Sequence, residues 1–131
     1  MPKFIAGTLL LAVLAAGSLF AQKKLIHPKE FPKGGPFSPG IQVGTTLSVA
    51  GQIGRDLKTG KIPENFEEEV ALTLDNIGIV LKEAGYSFAD AVSVHVDLTD
   101  MDLFQRMNSV YIKYFPDPKP VRTTVGTPKL A

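Results

Sequence analysis

One long stretch of the chain carries apolar side chains at the spacing of an α-helix. Within residues 64–84 they recur every three or four positions, at Phe66, Val70, Leu74, Ile77, Leu81 and Ala84. Asn65 is predicted to cap the start of this helix, where residues 67–69 are glutamates that suit the positive end of the helix dipole. Gly85 is predicted to end it as the C′ residue. Gly78 weakens the helix by roughly 1 kcal/mol relative to alanine, and we expect it to allow close packing on a sheet.

Alternating polarity predicts strands elsewhere in the chain. Residues 92–98 place four apolar side chains on one face of a strand: Val92, Val94, Val96 and Leu98. Residues 41–43 and 46–50 predict two shorter strands around a turn that contains Gly44. The prolines and glycines of residues 28–40 predict an irregular loop before them.

A second helix is predicted after residue 99. Thr99 and Asp102 have the spacing of a capping box, with aspartate in place of the usual glutamate. The apolar stripe that follows consists of Phe104, Met107, Tyr111 and Tyr114, and Pro116 ends the helix. The order of strands, helix, strand, helix and strand predicts an α+β domain, in which a single mixed sheet carries two helices on one face.

The first 21 residues are predicted to lie outside this domain. Lys3 precedes a stretch of apolar or small residues at 4–20, and small residues up to Ala21 suit cleavage. This pattern predicts a signal peptide at 1–21, a mature domain at 22–131 and export to the periplasm or the medium. An uncleaved membrane anchor is the alternative, because about 17 apolar residues approach the length that spans a bilayer.

Composition and charge narrow the classes of function. Residues 22–131 can hold one hydrophobic core but no second domain. The chain has 14 basic and 13 acidic residues, and Lys3 is one of the basic ones, so residues 22–131 carry no net charge. A neutral domain argues against nucleic-acid binding. The chain has no cysteine, so its stability must come from packing or from oligomerisation.

The last predicted strand contains an arginine among β-branched residues. Alternation puts three side chains on one face, those of Val121, Thr123 and Val125. Arg122 and Thr124 then share the opposite face. An arginine on the inner face of a sheet is unfavourable unless an anion or a carbonyl contacts it, and its planar guanidinium suits a carboxylate. A structural ion pair or a charge at a sheet edge is the alternative.

Other polar residues predict no further chemistry. Asp97, Asp100 and Asp102 lack a fourth oxygen or histidine ligand nearby, so helix capping explains them better than a metal site does. The two histidines are isolated in the sequence and are predicted to be structural or exposed. Residues 51–54 lack the lysine and the spacing of a phosphate-binding loop.

Several different short segments follow one another along the whole domain in a specific order. They are Gly-Pro-Phe-Ser-Pro-Gly at 35–40, Val-Ala-Gly-Gln-Ile at 49–53, Thr-Gly at 59–60, Leu-Asp-Asn-Ile at 74–77, Ala-Gly at 84–85, the strand at 92–98, Met-Asn-Ser-Val-Tyr at 107–111 and Pro-Val-Arg-Thr-Thr-Val at 120–125. In this order and spacing they resemble the RidA family, also called YjgF/YER057c/UK114. The resemblance covers residues 26–130.

The resemblance implies a fold, an assembly and a reaction. The fold is the chorismate-mutase-like α+β type, and the assembly is a homotrimer with sites between subunits. The reaction is that of a 2-iminobutanoate/2-iminopropanoate deaminase, which hydrolyses reactive enamines and imines to 2-oxo acids and ammonia without a metal or a cofactor. The family continues into one more strand with a glutamate near the site, and the sequence up to Ala131 has no counterpart of that strand.

The resemblance also implies the site residues. Arg122 would grip the substrate carboxylate, and the backbone carbonyl of Thr124 would help hold the attacking water. Gly51, Phe37 and Asn108 would line the pocket, with Phe37 in the place where the family commonly has tyrosine. The implied partners are a small imino or 2-oxo acid and further copies of the chain, with no nucleic acid and no membrane after signal cleavage.

Two other functions stay open at this point. A protein that binds small carboxylates without turnover is favoured by Phe37 and by the missing glutamate. An RNA-cleaving or chaperone-like role, claimed for relatives, has less support, because the domain is neutral and has no cluster of acid–base residues.

Overall fold

The computed structural model describes residues 22–131, so the predicted signal peptide at 1–21 lies outside the described residues. The elements are β1 (Lys23–Ile26), β2 (Gly40–Val43), β3 (Thr46–Val49), α1 (Phe66–Glu83), β4 (Ser93–Leu98), α2 (Phe104–Tyr111) and β5 (Val121–Gly126). Short 3-10 helices precede β4 and α2, at Phe88–Asp90 and Met101–Leu103. No helix in this part of the chain is long and apolar enough to cross a bilayer. The predicted α+β class is confirmed, and β1 is an additional strand.

The strands pair in two sheets, where the sequence predicted a single mixed sheet. β1, β2 and β3 form an antiparallel sheet in sequence order, and β4 pairs with β5 in parallel. Within residues 22–131, β3 and β4 are not paired with each other, either directly or through another strand, so the expected single sheet is divided in two.

Helix α1 packs on both sheets and so makes one domain of them. Its N-terminal half packs with α2 and β4 in a cluster whose buried members are Leu74, Leu98, Met107, Tyr111 and Phe115. Its C-terminal half packs with β1 and β3 in a second cluster, whose buried members are Ile26, Phe31 and Val80. The apolar stripe predicted for this helix therefore faces the core, as an amphipathic helix requires.

Both predicted ends of α1 are confirmed. The side-chain oxygen of Asn65 accepts a hydrogen bond from the N–H of Glu68 at 2.9 Å. At the other end, Gly85 has a φ of +80°, a left-handed conformation that favours glycine. The N–H of Tyr86 then donates to the carbonyl of Leu81 at 2.8 Å, which satisfies one of the last carbonyls of the helix.

Gly78 packs against an aromatic ring and not against a sheet. A Cβ added at this position would lie 3.3 Å from Cε2 of Phe88, in the 3-10 helix before β4. The prediction of close packing was therefore right, but its partner was wrong. The 3-10 helix itself begins with a capping box of Ser87 and Asp90, which sequence reasoning missed.

The capping box predicted for Thr99 and Asp102 is wrong. Asp100 is the cap, because its carboxylate accepts a hydrogen bond from the N–H of Asp102 at 2.9 Å. This contact starts the 3-10 helix that leads directly into α2. A capping side chain two residues before its donor suits this tighter turn, whereas the predicted box assumed a regular helix start.

Two side-chain contacts tie α2 and its C-terminal turn to α1. Arg106 donates hydrogen bonds to the two carboxylate oxygens of Glu67 at 2.6 and 2.7 Å, and these bonds lower the pKa of Glu67 to about 2. The hydroxyl of Tyr114 donates to the carboxylate of Asp75 at 2.8 Å. Burial, together with the nearby Asp75, raises the pKa of Tyr114 to about 12.

The faces of β4 and β5 follow the predicted alternation. Val94 lies beside Arg122 and Val96 beside Thr124 in the parallel register, so these four side chains share the face that points to the helices. Val92 is an exception to the prediction, because the strand begins at Ser93 and Val92 is 81% exposed. The alternation pattern identified the strand but placed its start one residue early.

Candidate functional site

Arg122 is a half-buried cation without an acidic partner. Its strand, β5, places it on the helix-facing side of the sheet. The ion pairs within residues 22–131 are formed by Arg106, Lys119 and His95, and none includes Arg122. The structural ion pair considered from the sequence is therefore absent from this part of the chain. A half-buried guanidinium without a counterion is well suited to bind an anion from solution.

Two aromatic rings of α2 contact this guanidinium. The Cζ atom of Arg122 lies 4.6 Å from the ring centroid of Tyr111 and 5.5 Å from that of Phe104. Both distances are within the range of cation–π attraction. Burial raises the pKa of the Tyr111 hydroxyl, while the charge of Arg122 acts in the opposite direction. Tyr111 is therefore neutral at physiological pH.

Arg122 opens onto a cleft of about 490 Å³ between the end of α2 and the loop before β5. The cleft is lined by Asn108, Tyr111, Ile112, Lys119, Pro120 and Arg122. Lys119 pairs with Asp117 at 2.6 Å, so its charge has a counterion. The cleft thus combines one free cation with apolar walls, which suits a small carboxylate that carries a short apolar group.

Asn108 lines the cleft of Arg122. It lies one helical turn before Tyr111 and Ile112, so the three side chains share one side of α2. The side chain of Asn108 makes no hydrogen bond within residues 22–131 and is half-buried. Its amide can therefore donate to, or accept from, a ligand beside Arg122.

The backbone of Thr124 points to the open edge of β5. The N–H of Val121 donates to Val92 and the N–H of Thr127 donates to Leu98, so odd-numbered residues of β5 bond with β4. Because successive residues of a strand direct their N–H and C=O groups to opposite sides, those of Thr124 point away from β4. The carbonyl of Thr124, which the family resemblance implies for the attacking water, therefore makes no ladder bond with β4.

The other two candidate residues lie elsewhere on the surface of the chain. Phe37 is 68% exposed in the loop between β1 and β2, and Gly51 is exposed in the loop after β3. Neither lines the cleft of Arg122. A single chain thus brings Arg122 and Asn108 together, with Thr124 two residues along the same strand, but not Phe37 or Gly51.

The loop that carries Gly51 is held firmly on α1. The amide of Asn76 donates to the carbonyls of Arg55 at 2.9 Å and Ile53 at 3.3 Å. Gly54 is buried, and a Cβ there would collide with the backbone carbonyl of Glu69. These contacts therefore fix the position of the loop relative to α1.

The aspartates that were tested as metal ligands have other contacts. Asp100 caps the 3-10 helix before α2, which confirms the capping explanation for that residue. Asp97 lies 3.3 Å from Nε2 of His95 on the exposed face of β4. Among residues 22–131, no three histidine, aspartate or glutamate side chains group together as a metal site requires.

Sequence reasoning missed Tyr111, Ile112 and Lys119 as cleft residues. Tyr111 was assigned to the apolar stripe of the second helix, where its ring indeed packs. Its spacing of three from Asn108 is the signal that places both residues on one side of the helix. Lys119 carried no signal beyond its closeness in sequence to Arg122.

The fold and the cleft define a class of protein. It is a small α+β domain in which an arginine of the last strand, without an acidic partner in the described residues, faces a cleft beside the second helix. The family model described as Endoribonuclease L-PSP matches residues 28–131. A RutC family protein of Saccharolobus solfataricus is 43% identical over 110 residues, which cover 82% of this chain and 87% of that protein. The 2-iminobutanoate/2-iminopropanoate deaminase of Mus musculus is 36% identical over 102 residues, 76% of each chain.

A solved structure, that of E. coli TdcF with bound serine, has the same fold. It superposes with a TM-score of 0.76 at 31% identity, over 82% of this chain and 88% of that one. The chain therefore belongs to the RidA family, as its sequence segments indicated. The relatives of this chain include proteins named as deaminases.

Proposed function

We propose that this protein hydrolyses small 2-imino acids, of the 2-iminobutanoate and 2-iminopropanoate class, to 2-oxo acids and ammonia. The observation that carries the proposal is the guanidinium of Arg122, which is half-buried, faces a cleft and has no acidic partner in the described chain. Every 2-imino acid has a carboxylate next to its reacting carbon, so a cation at this place would orient that carbon. The mouse relative named as a deaminase of these substrates supports the choice of reaction.

The proposed reaction needs little from the protein beyond positioning. An enamine gains a proton on carbon to give the imine, and water then adds to the imine carbon. Transfer of protons to nitrogen releases ammonia and leaves the 2-oxo acid, so one water is consumed for each ammonia formed. Arg122 binds the carboxylate through two N–H donors, and the Thr124 carbonyl accepts a hydrogen bond from the water. Because imines are reactive, holding the two reactants together can supply much of the acceleration.

The test is a coupled assay in which a dehydratase generates the enamine and 2-oxo acid formation is followed. We expect Arg122→Ala to abolish turnover, and Arg122→Lys to recover little of it, because lysine lacks the two-pronged donor geometry. Arg106→Ala is the matched control, since Arg106 lies on the surface and pairs with Glu67. Equal rates for the wild type and Arg122→Ala would refute the assignment.

Binding of small carboxylates without turnover is the second candidate. It is favoured by the lining of the cleft, in which no aspartate or glutamate stands beside Arg122. In that case 2-oxobutanoate binds to the wild type and not to Arg122→Ala, while the coupled assay shows no rate above the uncatalysed reaction.

We further propose that the active form is a homotrimer whose sites lie between subunits. The motive is that Phe37 and Gly51 lie away from the cleft in one chain, so a neighbouring chain would have to supply them. Exposed apolar side chains are consistent with subunit contacts, among them Val121 at 71% and Phe37 at 68% exposure. Sedimentation equilibrium of residues 22–131 tests this, and a monomer at micromolar concentration would contradict it.

Export is a separate proposal that concerns residues 1–21 alone. Expression of the full chain in a bacterium should give a periplasmic or secreted product that begins near Gln22. Intact-mass measurement of that product decides the point. A cytoplasmic product that retains the first 21 residues would contradict it.

A further inference from the structure

The charge of Arg122 lies between two aromatic rings of one helix. Phe104 is the first residue of α2 and Tyr111 the last, so they are seven residues apart and point to the same side. Two helical turns separate their Cα atoms by about 10 Å. A guanidinium carbon within 5.5 Å of both ring centroids therefore sits between the rings, along the side of the helix.

The Tyr111 ring is itself fixed by the core. Tyr111 is 7% exposed, and its ring stacks on that of Phe115 with centroids 4.3 Å apart. Phe115 in turn meets Phe88 edge to face at 5.0 Å. The face that Tyr111 offers to Arg122 is thus set by a chain of ring contacts that ends in the core of the domain.

A ring holds a cation differently from a carboxylate. The negative face of the ring attracts the positive charge but does not neutralise it, and it takes up none of the directed N–H donors. A carboxylate partner would do both. An arginine held by rings therefore keeps its charge and its donors for a ligand, while its position is restricted.

We propose that Tyr111 and Phe104 are positioning residues that hold the guanidinium of Arg122 ready to receive a carboxylate. The inference rests on the proposed function in one respect, since it takes Arg122 as the group that binds the carboxylate. We assign this role to the ring of Tyr111, because its hydroxyl oxygen is buried and makes no hydrogen bond within residues 22–131. Arg122 nevertheless lies near enough to that hydroxyl to act on its pKa, so Tyr111→Phe tests the hydroxyl separately from the ring.

The experiment measures the dissociation constant of 2-oxobutanoate by calorimetry and, in the coupled assay, KM and kcat. Tyr111→Leu is expected to weaken binding by about fivefold to thirtyfold, and Phe104→Leu, whose ring is farther away, by about twofold to fivefold. KM should rise in parallel, while kcat falls by no more than about threefold, because the contact acts on the bound carboxylate in the ground state as well as in the transition state. Tyr111→Phe should restore the affinity lost in Tyr111→Leu to within about twofold.

The matched control is Phe66→Leu. Phe66 lies beneath Arg106 with its ring centroid 5.4 Å from that guanidinium, so the substitution removes an equivalent cation–π contact away from the cleft. Its affinity for 2-oxobutanoate should equal that of the wild type. An equal loss in Phe66→Leu and Phe104→Leu would overturn the positioning role, because it would reflect a general structural effect.

Two further outcomes separate this inference from the proposed function. If Arg122→Ala abolishes binding while Phe104→Leu and Tyr111→Leu bind normally, the positioning role is overturned and the proposed function stands. If Arg122→Ala binds 2-oxobutanoate as well as the wild type does, the proposed function itself fails. Phe104 is only half-buried, so Phe104→Leu is expected to fold. It therefore tests the positioning role even if Tyr111→Leu does not fold.

Discussion

The loop after β3 depends on one buried side chain, and its removal should destabilise the domain by a predictable amount. Asn76 is 2% exposed, and its amide reaches out of α1 to the carbonyls of Ile53 and Arg55. Asn76→Ala deletes both donors. The loop must then give up its position on α1 or leave its carbonyls without partners.

The magnitude follows from the two hydrogen bonds. Each contributes about 1 kcal/mol net, so their loss costs about 2 kcal/mol of the free energy of unfolding. The better helix propensity of alanine returns about 0.5 kcal/mol of this. A net loss of about 1.5 kcal/mol lowers the Tm of a domain of this size by about 6 °C.

Urea unfolding at one fixed protein concentration is the assay, because any oligomer would make the midpoint depend on concentration. Asn108→Ala is the control, since it makes the same change on α2 at a half-buried position whose side chain has no hydrogen bond within residues 22–131. We expect the control to lie within about 0.5 kcal/mol of the wild type. If Asn76→Ala is as stable as this control, the two hydrogen bonds do not hold the loop and the reasoning is refuted.

Two other predictions concern the contacts around α1. The folded pKa of Glu67 is about 2, below the ordinary value of 4.5, because Arg106 donates hydrogen bonds to it. The ionised pair therefore stabilises the fold above pH 4.5, and that contribution disappears as the pH falls towards 2. As the pH falls through this window, urea unfolding should show a smaller loss of stability for Glu67→Gln than for the wild type. Glu68→Gln, in the same turn, is the control and should behave as the wild type does. If the stability of all three proteins depends on pH in the same way, the contact is contradicted. Gly54→Ala should lower stability by about 1–3 kcal/mol in thermal unfolding, because its Cβ would collide with the carbonyl of Glu69, and an unchanged Tm would show that the loop can shift freely.

The parts of the fold that depend on local chemistry could be predicted from the sequence. Asn65 and Gly85 mark the ends of α1 because a cap and a left-handed residue are local requirements. The start of α2 was misplaced, since Thr99 and Asp100 are both good caps and only the path of the chain chooses between them. The strand β1 was missed because its residues, Lys23–Ile26, are mostly exposed and show little alternation. Its pairing with β2 depends on a loop whose path the sequence does not specify.

The candidate site was predictable in its central residue and less so in its surroundings. The position of Arg122 on the inner face follows from a period of two along β5, and that prediction is confirmed by its register with Val94. The role of Tyr111 was hidden, because a tyrosine at core spacing gives the same pattern whether or not a cation lies on its ring. The exposed position of Phe37 depends on the path of the loop between β1 and β2, which no local pattern encodes.

Within residues 22–131, the edge of β5 that faces away from β4 is unpaired, and this places a constraint on how the protein can associate. Sheet edges usually invite another strand, and many proteins protect them by covering or pairing them. Here the same edge presents the carbonyl of Thr124, so a strand added there would occupy the group that the proposed reaction uses. Protection must therefore come from features that leave the carbonyl exposed, such as Pro120, which has no N–H to offer at the start of the strand, and the charge of Arg122. The proposed reaction and the protection of this edge therefore place opposite demands on one row of backbone atoms, and the proposed trimer would have to form through side chains instead.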